Sequence, residues 1–389
     1  MNYRRRCTMP VRIFDEHEIS LLKEVLNSGN LSSLGAGPMT RRFEREFAAA
    51  VGSKHGVAMN CAMSVLHASV MVAGAGAGDE VICDPFCVFG AQACLYANAV
   101  PVFVDIKPKT WNMDPKKIEE KITERTKALI VTHIWGLAAE MEPIVEVAHK
   151  HNLLVIEDCA HSLYATYKGK CTGTWGDIGS FSFQMSKQIG LGDAGMAVTS
   201  SDELAKQLNL HAGAPTFLAA AYGLHYNYRI NELTSAVGIG QLERSKGYVE
   251  ELIEIAGYYD EVVNECEWLE LQRGPEESTH TFHLWGSTFW GDRFGITIDD
   301  LNRVLSEAQC GVSVGYTGMP AYKHPVFVNR AAHAFDCPTY KGNKNQYPDG
   351  LCPIAEEILP RTVNAYTFGP KDVHKANTEK FALALRKLG

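Results

Sequence analysis

The sequence has little that would suit it to a membrane, to nucleic acid or to a disulfide-linked fold. It contains no apolar run of the roughly 20 residues that a transmembrane helix needs. Its net charge of −8 gives no broad positive field for nucleic acid or anionic lipid. None of its 11 cysteines forms a C-x-x-C pair, and no apolar signal segment follows Met1. We therefore expect a cytoplasmic protein with buried, reduced thiols that has no metal site and binds neither nucleic acid nor a membrane.

Several common catalytic signatures are also missing. The sequence has no Walker A motif, no H-E-x-x-H motif and no nucleophile elbow, which argues against nucleotide, zinc-protease and serine-hydrolase chemistry. Its glycine-rich stretches, 35–37 and 74–78, do not fit the G-x-G-x-x-G pattern of dinucleotide-binding folds. The chain has 389 residues, of which 46% are hydrophobic and 21% charged. This is enough for two domains, or for one large and one small domain.

The chemistry of the chain is concentrated between residues 153 and 196. An apolar run over 153–156, typical of a buried parallel strand, ends in Glu157 and Asp158. Open α/β sheets bind ligands at this end of a strand. A second strand pattern over 179–184 leads to Lys187 and a glycine-rich turn. Such a lysine and carboxylate suit pyridoxal 5′-phosphate, which needs an amine to hold its aldehyde and an acid to keep its ring nitrogen protonated.

Strand and helix patterns alternate on either side of this segment. Short apolar runs typical of strands end near residues 60, 84, 105 and 133, and helical patterns separate them. This order predicts an α/β fold with a mainly parallel sheet covered by helices. From about residue 246 the pattern changes to that of a smaller α+β unit. We predict a large domain over residues 1–245, including an N-terminal arm, and a small C-terminal domain over 246–389.

The motifs around Lys187, taken in order, resemble those of the DegT/DnrJ/StrS family of pyridoxal-phosphate enzymes, best known as sugar aminotransferases. The matching segments are Glu157-Asp158-Cys159-Ala160-His161, Gly176-Asp177-Ile178-Gly179-Ser180-Phe181-Ser182-Phe183 followed by Lys187, and Gly192-Asp193-Ala194-Gly195. The resemblance covers nearly the whole chain. It implies fold type I, with a seven-stranded type of large-domain sheet and a smaller C-terminal α+β domain.

The resemblance also implies the roles of four residues around the cofactor ring and phosphate. Lys187 would hold the cofactor as a Schiff base and then act as general base and acid. Asp158 would pair with the ring nitrogen, His161 would hydrogen-bond the 3′-oxygen, and Ser182 would bind the phosphate. From the residues alone, Lys187 would also fit a surface lysine, Asp158 a helix cap, and His161 a core or surface histidine.

A second part of the phosphate site is predicted where a strand over 57–60 leads into a helix. The backbone N–H groups and dipole at a helix start favour a phosphate. Ala62 and Met63 stand where the resembling family has glycine and threonine, so a hydroxyl is lost. Ser64 would compensate, together with the backbone N–H groups of Met63 and Ser64.

Three further residues are assigned by the same resemblance. An aromatic residue after the strand ending at Asp84 would stack on the cofactor ring; Phe86 and Phe89 both qualify, and Phe89 is favoured, although either would also suit a core position. Asn227 matches an asparagine that reaches across a dimer interface to the partner's cofactor phosphate. A homodimer is therefore implied. The residues by themselves would describe Asn227 only as part of a polar loop.

The predicted reaction is transamination in sugar or secondary-metabolite biosynthesis. Glutamate or glutamine would donate the amino group, and either a nucleotide-linked keto-sugar or a cyclitol-like ketone would accept it. The pairs Ala62-Met63 and Asp193-Ala194 depart from the family pattern and keep a second reaction open: elimination, dehydration or cyclisation with the same cofactor. A third hypothesis is a non-catalytic ligand-binding regulator, against which the retained lysine, acid and serine argue.

Overall fold

A mostly parallel sheet of seven strands organises the first half of the chain. The computed structural model describes residues 12–34, 37–213, 225–342 and 347–388. The strands of this half are β1 (His55–Met59), β2 (Glu80–Cys83), β3 (Val100–Phe103), β4 (Thr126–Thr132), β5 (Leu154–Asp158), β6 (Thr166–Tyr167), β7 (Lys170–Cys171), β8 (Ile178–Ser182) and β9 (Gly195–Thr199). The large sheet has the order β1-β9-β8-β5-β4-β2-β3, and β6 and β7 pair separately. In the large sheet β9 runs antiparallel to both of its neighbours, β1 and β8, and the remaining strand pairs are parallel.

Helices pack on both faces of this sheet and continue into the second half. They are α1 (Glu16–Ser28), α2 (Pro38–Val51), α3 (Ala62–Val72), α4 (Val88–Tyr96), α5 (Met141–Lys150), α6 (Asp202–Gly213), α7 (Glu232–Val263), α8 (Ile298–Ala308), α9 (Pro325–Val328), α10 (Pro353–Ile358) and α11 (Lys371–Leu385). Within the described ranges, no helix combines the length and the apolar character that crossing a bilayer requires.

A second, smaller sheet lies in the C-terminal half. Its strands are β10 (Leu269–Leu271), β11 (Leu284–Phe289), β12 (Val312–Val314) and β13 (Thr362–Tyr366), in the antiparallel order β10-β11-β13-β12. The predicted α/β fold, with a seven-stranded mainly parallel sheet and a smaller α+β part, is confirmed. The predicted boundary between residues 245 and 246 falls inside α7, which runs without interruption from one part to the other. That boundary stays a prediction.

A side chain of α7 caps the start of α2. The Glu232 carboxylate accepts hydrogen bonds from the backbone N–H groups of Met39 (2.9 Å) and Thr40 (3.0 Å), and from the Thr40 hydroxyl (2.5 Å). It thereby supplies acceptors for orphan donors of the first helical turn. A Cβ on Gly37 would clash with this carboxylate. Two residues of the predicted glycine-rich loop, 35 and 36, lie outside the described residues.

Two buried tryptophans join the small sheet to the large one. Trp111 and Trp135 are almost fully buried, and their rings meet edge to face with centroids 4.9 Å apart. Gly286 of β11 lies against both rings: a Cβ there would come within 2.5 Å of Trp135 and 2.7 Å of Trp111. The absence of a side chain at this position therefore allows β11 to approach the carboxyl edge of the large sheet.

Replacing Gly286 by valine should destabilise the protein by about 1–3 kcal/mol, the usual cost of overpacking a dense core. Gly257→Ala is the matched control, because a Cβ at that helical position meets nothing within 4 Å. It should be neutral or add up to about 1 kcal/mol through helix propensity. Urea unfolding measures both variants. Equal stability of Gly286→Val and the wild type would contradict the packing of β11 described above.

Candidate active site

The lysine predicted to be catalytic lies just beyond the carboxyl end of β8. Asp158 ends the neighbouring parallel strand β5 and pairs in register with Ser180 of β8. The turn that carries Lys187 is closed by backbone hydrogen bonds from Phe183 to Ala194 (2.8 Å) and from Met185 to Gly192 (2.8 Å). Strand pairing and turn together bring the amine and the carboxylate to the same edge of the sheet, where α/β folds bind ligands.

The alternation of residues in β8 explains why this strand is held so firmly. Phe181 and Phe183 point to one face and pack against Phe47 of α2, with ring centroids 5.0 and 5.1 Å away. Ser180 and Ser182 point to the other face, as the two-residue period of a strand requires. The apolar face anchors the strand, and the polar face is left for the site.

Arg12 clamps the lysine turn from outside. Its guanidinium donates hydrogen bonds to the backbone carbonyl oxygens of Met185 (2.5 Å) and Lys187. Gly190 makes room for it, since a Cβ there would clash with the guanidinium. Burial lowers the pKa of Arg12 to about 10. The clamp fixes the backbone of the lysine without using its side chain.

Burial and charge act in opposite directions on the Lys187 amine. Burial lowers its pKa to about 8, and the negative charge of Asp158 offsets part of that fall. Burial likewise raises the pKa of Asp158, against the backbone hydrogen bond from Ala160 (3.1 Å) and the field of Lys187. The amine therefore loses its proton nearer to neutrality than a free lysine, which is what a nucleophilic lysine requires.

Glu157, the other acid at this strand end, has a structural task. Its carboxylate accepts hydrogen bonds from the N–H groups of Gly173 (2.8 Å) and Gly176 (2.7 Å) and is 3.0 Å from Nε2 of the buried His133. Together with Cys159, this acid and histidine form a compact group with metal-ligating atoms. The Nδ1 of His133 accepts from the N–H of Ala139 (3.0 Å), so both ring nitrogens are already used. The group holds the 173–176 loop.

The predicted phosphate site assembles from two elements. Ser182, at the end of β8, pairs with Gly195 of β9. A Cβ on Gly195 would come within 2.6 Å of the Cys61 backbone and 2.7 Å of the Ala62 nitrogen. The start of α3 therefore lies directly against the Ser182–Gly195 pair. The first N–H groups of a helix have no acceptor inside it, so Ala62 and Met63 offer donors beside the Ser182 hydroxyl.

Ser64 takes part in the hydrogen bonds that cap the start of α3. Its hydroxyl donates to Oδ1 of Asn60 (2.6 Å), and its backbone N–H donates to the Cys61 sulfur (3.4 Å). The side chain is buried. Its oxygen can still accept a hydrogen bond, but its proton is committed to Asn60.

The two candidate stacking residues differ in their surroundings. Phe86 is buried and stacks on Trp111, with centroids 5.8 Å apart and planes 14° apart. Phe89 is 52% exposed, in the first turn of α4. Cys87, between them, lies close enough to Lys187 and Asp158 for their charges to act on its thiol. Of the two rings, only that of Phe89 is free of the aromatic core.

His161 is half-buried beside Lys187, and burial together with the lysine charge lowers its pKa well below the usual value. Asn227 is exposed, on a segment where the rings of Tyr226 and Tyr228 stack 5.0 Å apart. Among the described residues, no hydrogen bond joins Asn227 to the Lys187 cluster. Six of the predicted residues thus gather around the lysine or the adjoining helix start: Asp158, His161, Ser182, Ala62, Met63 and Ser64. Asn227 is exposed, and its neighbour Tyr228 accepts a backbone hydrogen bond from Asn60 (2.7 Å) just before that helix.

The family model described as the DegT/DnrJ/EryC1/StrS aminotransferase family matches residues 12–347. The chain belongs to this family. It is therefore an aminotransferase, and the enzymes of the DegT/DnrJ/EryC1/StrS family depend in general on pyridoxal phosphate. The resemblance predicted from the motifs around Lys187 is confirmed.

Individual members of the DegT/DnrJ/EryC1/StrS family match over most of the chain. The spore coat polysaccharide biosynthesis protein SpsC of Bacillus subtilis (strain 168) is 34% identical over 81% of this chain and 84% of its own. The GDP-perosamine synthase of Escherichia coli O157:H7 is 31% identical over 88% of this chain and 95% of its own. The X-ray structure of an aminotransferase from Psychrobacter cryohalolentis has a TM-score of 0.84 and 25% identity, covering 97% of this chain and 99% of that one. The predicted fold type I is confirmed.

The family motifs did not point to two of the residues that shape this site. Arg12 lies 175 positions before Lys187 in the chain, and His283, which stacks on His161, comes from the C-terminal half. Arg12 lies in the N-terminal segment and His283 directly precedes a strand. Neither local pattern marks a residue as part of a site. A buried arginine or histidine has no local sequence signal, so only the packing of distant segments reveals them.

Replacing Asp158 by asparagine should lower the pKa of the Lys187 amine below about 8, because the carboxylate charge favours the protonated ammonium. An NMR titration of the protein after reductive ¹³C-methylation, with Lys187→Arg to assign the signal, measures this. Asp202→Asn, which removes an exposed acid paired with Lys54, is the control and should leave the signal unchanged. An unchanged or raised pKa in Asp158→Asn would rule out the attraction.

Proposed function

We propose that this enzyme uses pyridoxal 5′-phosphate to move an amino group from glutamate or glutamine to a nucleotide-linked keto-sugar or to a cyclitol-like ketone. The observation that carries the proposal is the half-buried Lys187 amine, with a pKa lowered to about 8, close to the buried carboxylate of Asp158. A lysine whose amine is desolvated close to a buried acid is costly for a fold to maintain. Its chemistry is that of a residue that binds an aldehyde.

The residues fit the cofactor at both of its ends. At the phosphate end, the backbone contact of Gly195 with the start of α3 leaves a cradle edged by the Ser182 hydroxyl and the first helical N–H groups. At the ring end, the buried Nδ1 of His161 has no hydrogen-bond partner in the described part of the chain. Ser182, Ala62 and Met63 would hold the phosphate, and Asp158 and His161 the ring, with Phe89 against its face.

When bound, the cofactor supplies an electron sink that stabilises negative charge on the substrate carbon next to the amino group. Lys187 would hold the cofactor aldehyde, and once replaced there by the amino donor it would carry the proton to and from the reacting carbon. A pKa near 8 suits both tasks, since the amine is neither permanently charged nor strongly acidic. Asp158 keeps the ring nitrogen protonated because a buried carboxylate favours a positive partner.

The class of acceptor is supported by the relatives. The names of SpsC and of GDP-perosamine synthase refer to a polysaccharide and to a nucleotide-linked amino sugar. We propose a carbonyl carbon of a nucleotide-linked sugar as the acceptor here. The exposed position of Asn227 supports a homodimer in which this side chain reaches the phosphate of the partner's cofactor.

The absorbance spectrum of the purified protein tests the reaction. With pyridoxal 5′-phosphate added, the wild type should show a visible band from the lysine-bound cofactor, and Lys187→Ala should lack it. L-Glutamate or L-glutamine should then bleach the band as the amino group passes to the cofactor. A band that survives both donors would favour the elimination or cyclisation chemistry instead, and no band in the wild type would overturn the proposal.

Replacing Ser182 by alanine should weaken cofactor binding by roughly tenfold to a hundredfold, since a hydrogen bond to a charged group contributes about 1.5–3 kcal/mol. Ser180→Ala is the matched control: the same change two residues earlier on the same strand face, where the hydroxyl is buried without a partner among the described residues. Titration of each cofactor-free protein by fluorescence measures the affinity. Similar losses in both variants would remove Ser182 from the phosphate site.

A further inference from the structure

Two imidazoles from opposite halves of the chain stack beside the catalytic lysine. The rings of His161 and His283 lie with their centroids 4.4 Å apart and their planes only 4° apart. His161 follows β5 of the large sheet, and His283 directly precedes β11 of the small sheet. The stack is therefore a direct contact between the two sheets at the edge that carries the site.

The segment that holds His283 is itself well fixed. The Thr367 hydroxyl donates to the carbonyl oxygen of Phe282 (2.5 Å), and the ring of Phe368 meets His283 edge-on at 5.6 Å. On the other side, the Gln188 side-chain amide donates to the backbone oxygen of His161 (2.7 Å). Both backbones are held by hydrogen bonds, so the stack is a defined arrangement of two rings.

The stack holds ring nitrogens that nothing else uses. In the described part of the chain, the buried Nδ1 atoms of both His161 and His283 lack a hydrogen-bond partner. Such atoms are costly to bury, and in a native structure they call for an explanation. An ordinary core site would place an apolar ring here. A histidine pair next to Lys187 indicates that a ligand completes the hydrogen bonding of at least one ring.

The charges around the pair oppose protonation of either ring. Lys187 and Arg12 contribute positive fields at His283, and each imidazole would repel a charge on the other at this distance. Burial acts in the same direction and is the larger cause of the lowered pKa of both histidines. Neutral rings are retained, each with one N–H to donate and one nitrogen to accept.

We propose that His283 is a positioning residue for the transamination: its ring fixes the plane of the His161 imidazole that faces the 3′-oxygen of the cofactor. The inference rests on the proposed function, because that function assigns the 3′-oxygen of the cofactor as the hydrogen-bond partner of His161. His283 acts through His161 and does not itself touch the reacting atoms. It also ties the position of the small sheet to the cofactor ring.

The test compares His283→Leu and His283→Phe in the protein loaded with pyridoxal 5′-phosphate. Phenylalanine keeps a flat ring against His161, and leucine does not. In His283→Leu, the pH midpoint of the visible band should rise by about half a unit, because a hydrogen bond from His161 to the 3′-oxygen favours the deprotonated form. Its kcat should fall roughly tenfold with little change in KM for the amino donor. His283→Phe should keep both values close to those of the wild type.

His374→Leu is the control for loss of a buried histidine from the same half of the chain. His374 packs against Tyr259, away from the lysine, and its Nδ1 is 3.0 Å from the tyrosine hydroxyl. It should lower thermal stability without moving the midpoint. If His283→Leu loses only stability, as the control does, His283 is a packing residue and the inference is wrong. If the wild type shows no visible band, the proposed function fails instead, so the two failures are distinct.

Discussion

The attraction between a desolvated amine and a desolvated carboxylate is the interaction on which the rest of this structure depends. Neither Lys187 nor Asp158 would stay buried alone, because an isolated charge in a low-dielectric interior is expensive. Each reduces the cost of the other: the carboxylate keeps the lysine pKa from falling further, and the lysine restrains the rise in the aspartate pKa. The part of the burial cost that the two charges do not offset leaves the lysine amine easier to deprotonate, and this makes the amine reactive.

Several contacts hold the backbone around Lys187 and Asp158 in place. The phenylalanines of β8 anchor the lysine strand against α2, and Arg12 holds the carbonyl groups of the turn. Glu157 fixes the loop behind Asp158 by accepting two backbone hydrogen bonds. Among the described residues these contacts make no use of the Lys187 amine, and the Asp158 carboxylate accepts one backbone hydrogen bond, from Ala160. A rigid scaffold around free reactive groups is the general requirement of a preorganised site.

The small sheet contacts the site through tryptophan and histidine rings. Gly286 lets β11 approach two tryptophans, and three residues earlier His283 stacks on His161. The continuous α7 and the docking of β11 make two connections between the parts. The Asp105 carboxylate makes a third, accepting from the N–H groups of Ile354 (3.0 Å) and Ala355 (3.0 Å) at the start of α10. The C-terminal half is therefore part of the active-site architecture.

The sequence by itself determined the α/β fold, the family and the order of the catalytic motifs along the chain. The strand-end acids, the F-S-F alternation before Lys187 and the glycine turn are each set by neighbouring residues, so they can be read from short segments. The sequence favoured Phe89 over Phe86 but could not reveal that Phe86 is buried against Trp111, nor that the Ser64 proton is committed to Asn60. The Arg12 clamp and the His161–His283 stack were decided only by tertiary structure. Each joins residues more than a hundred positions apart, and no local periodicity encodes such a contact.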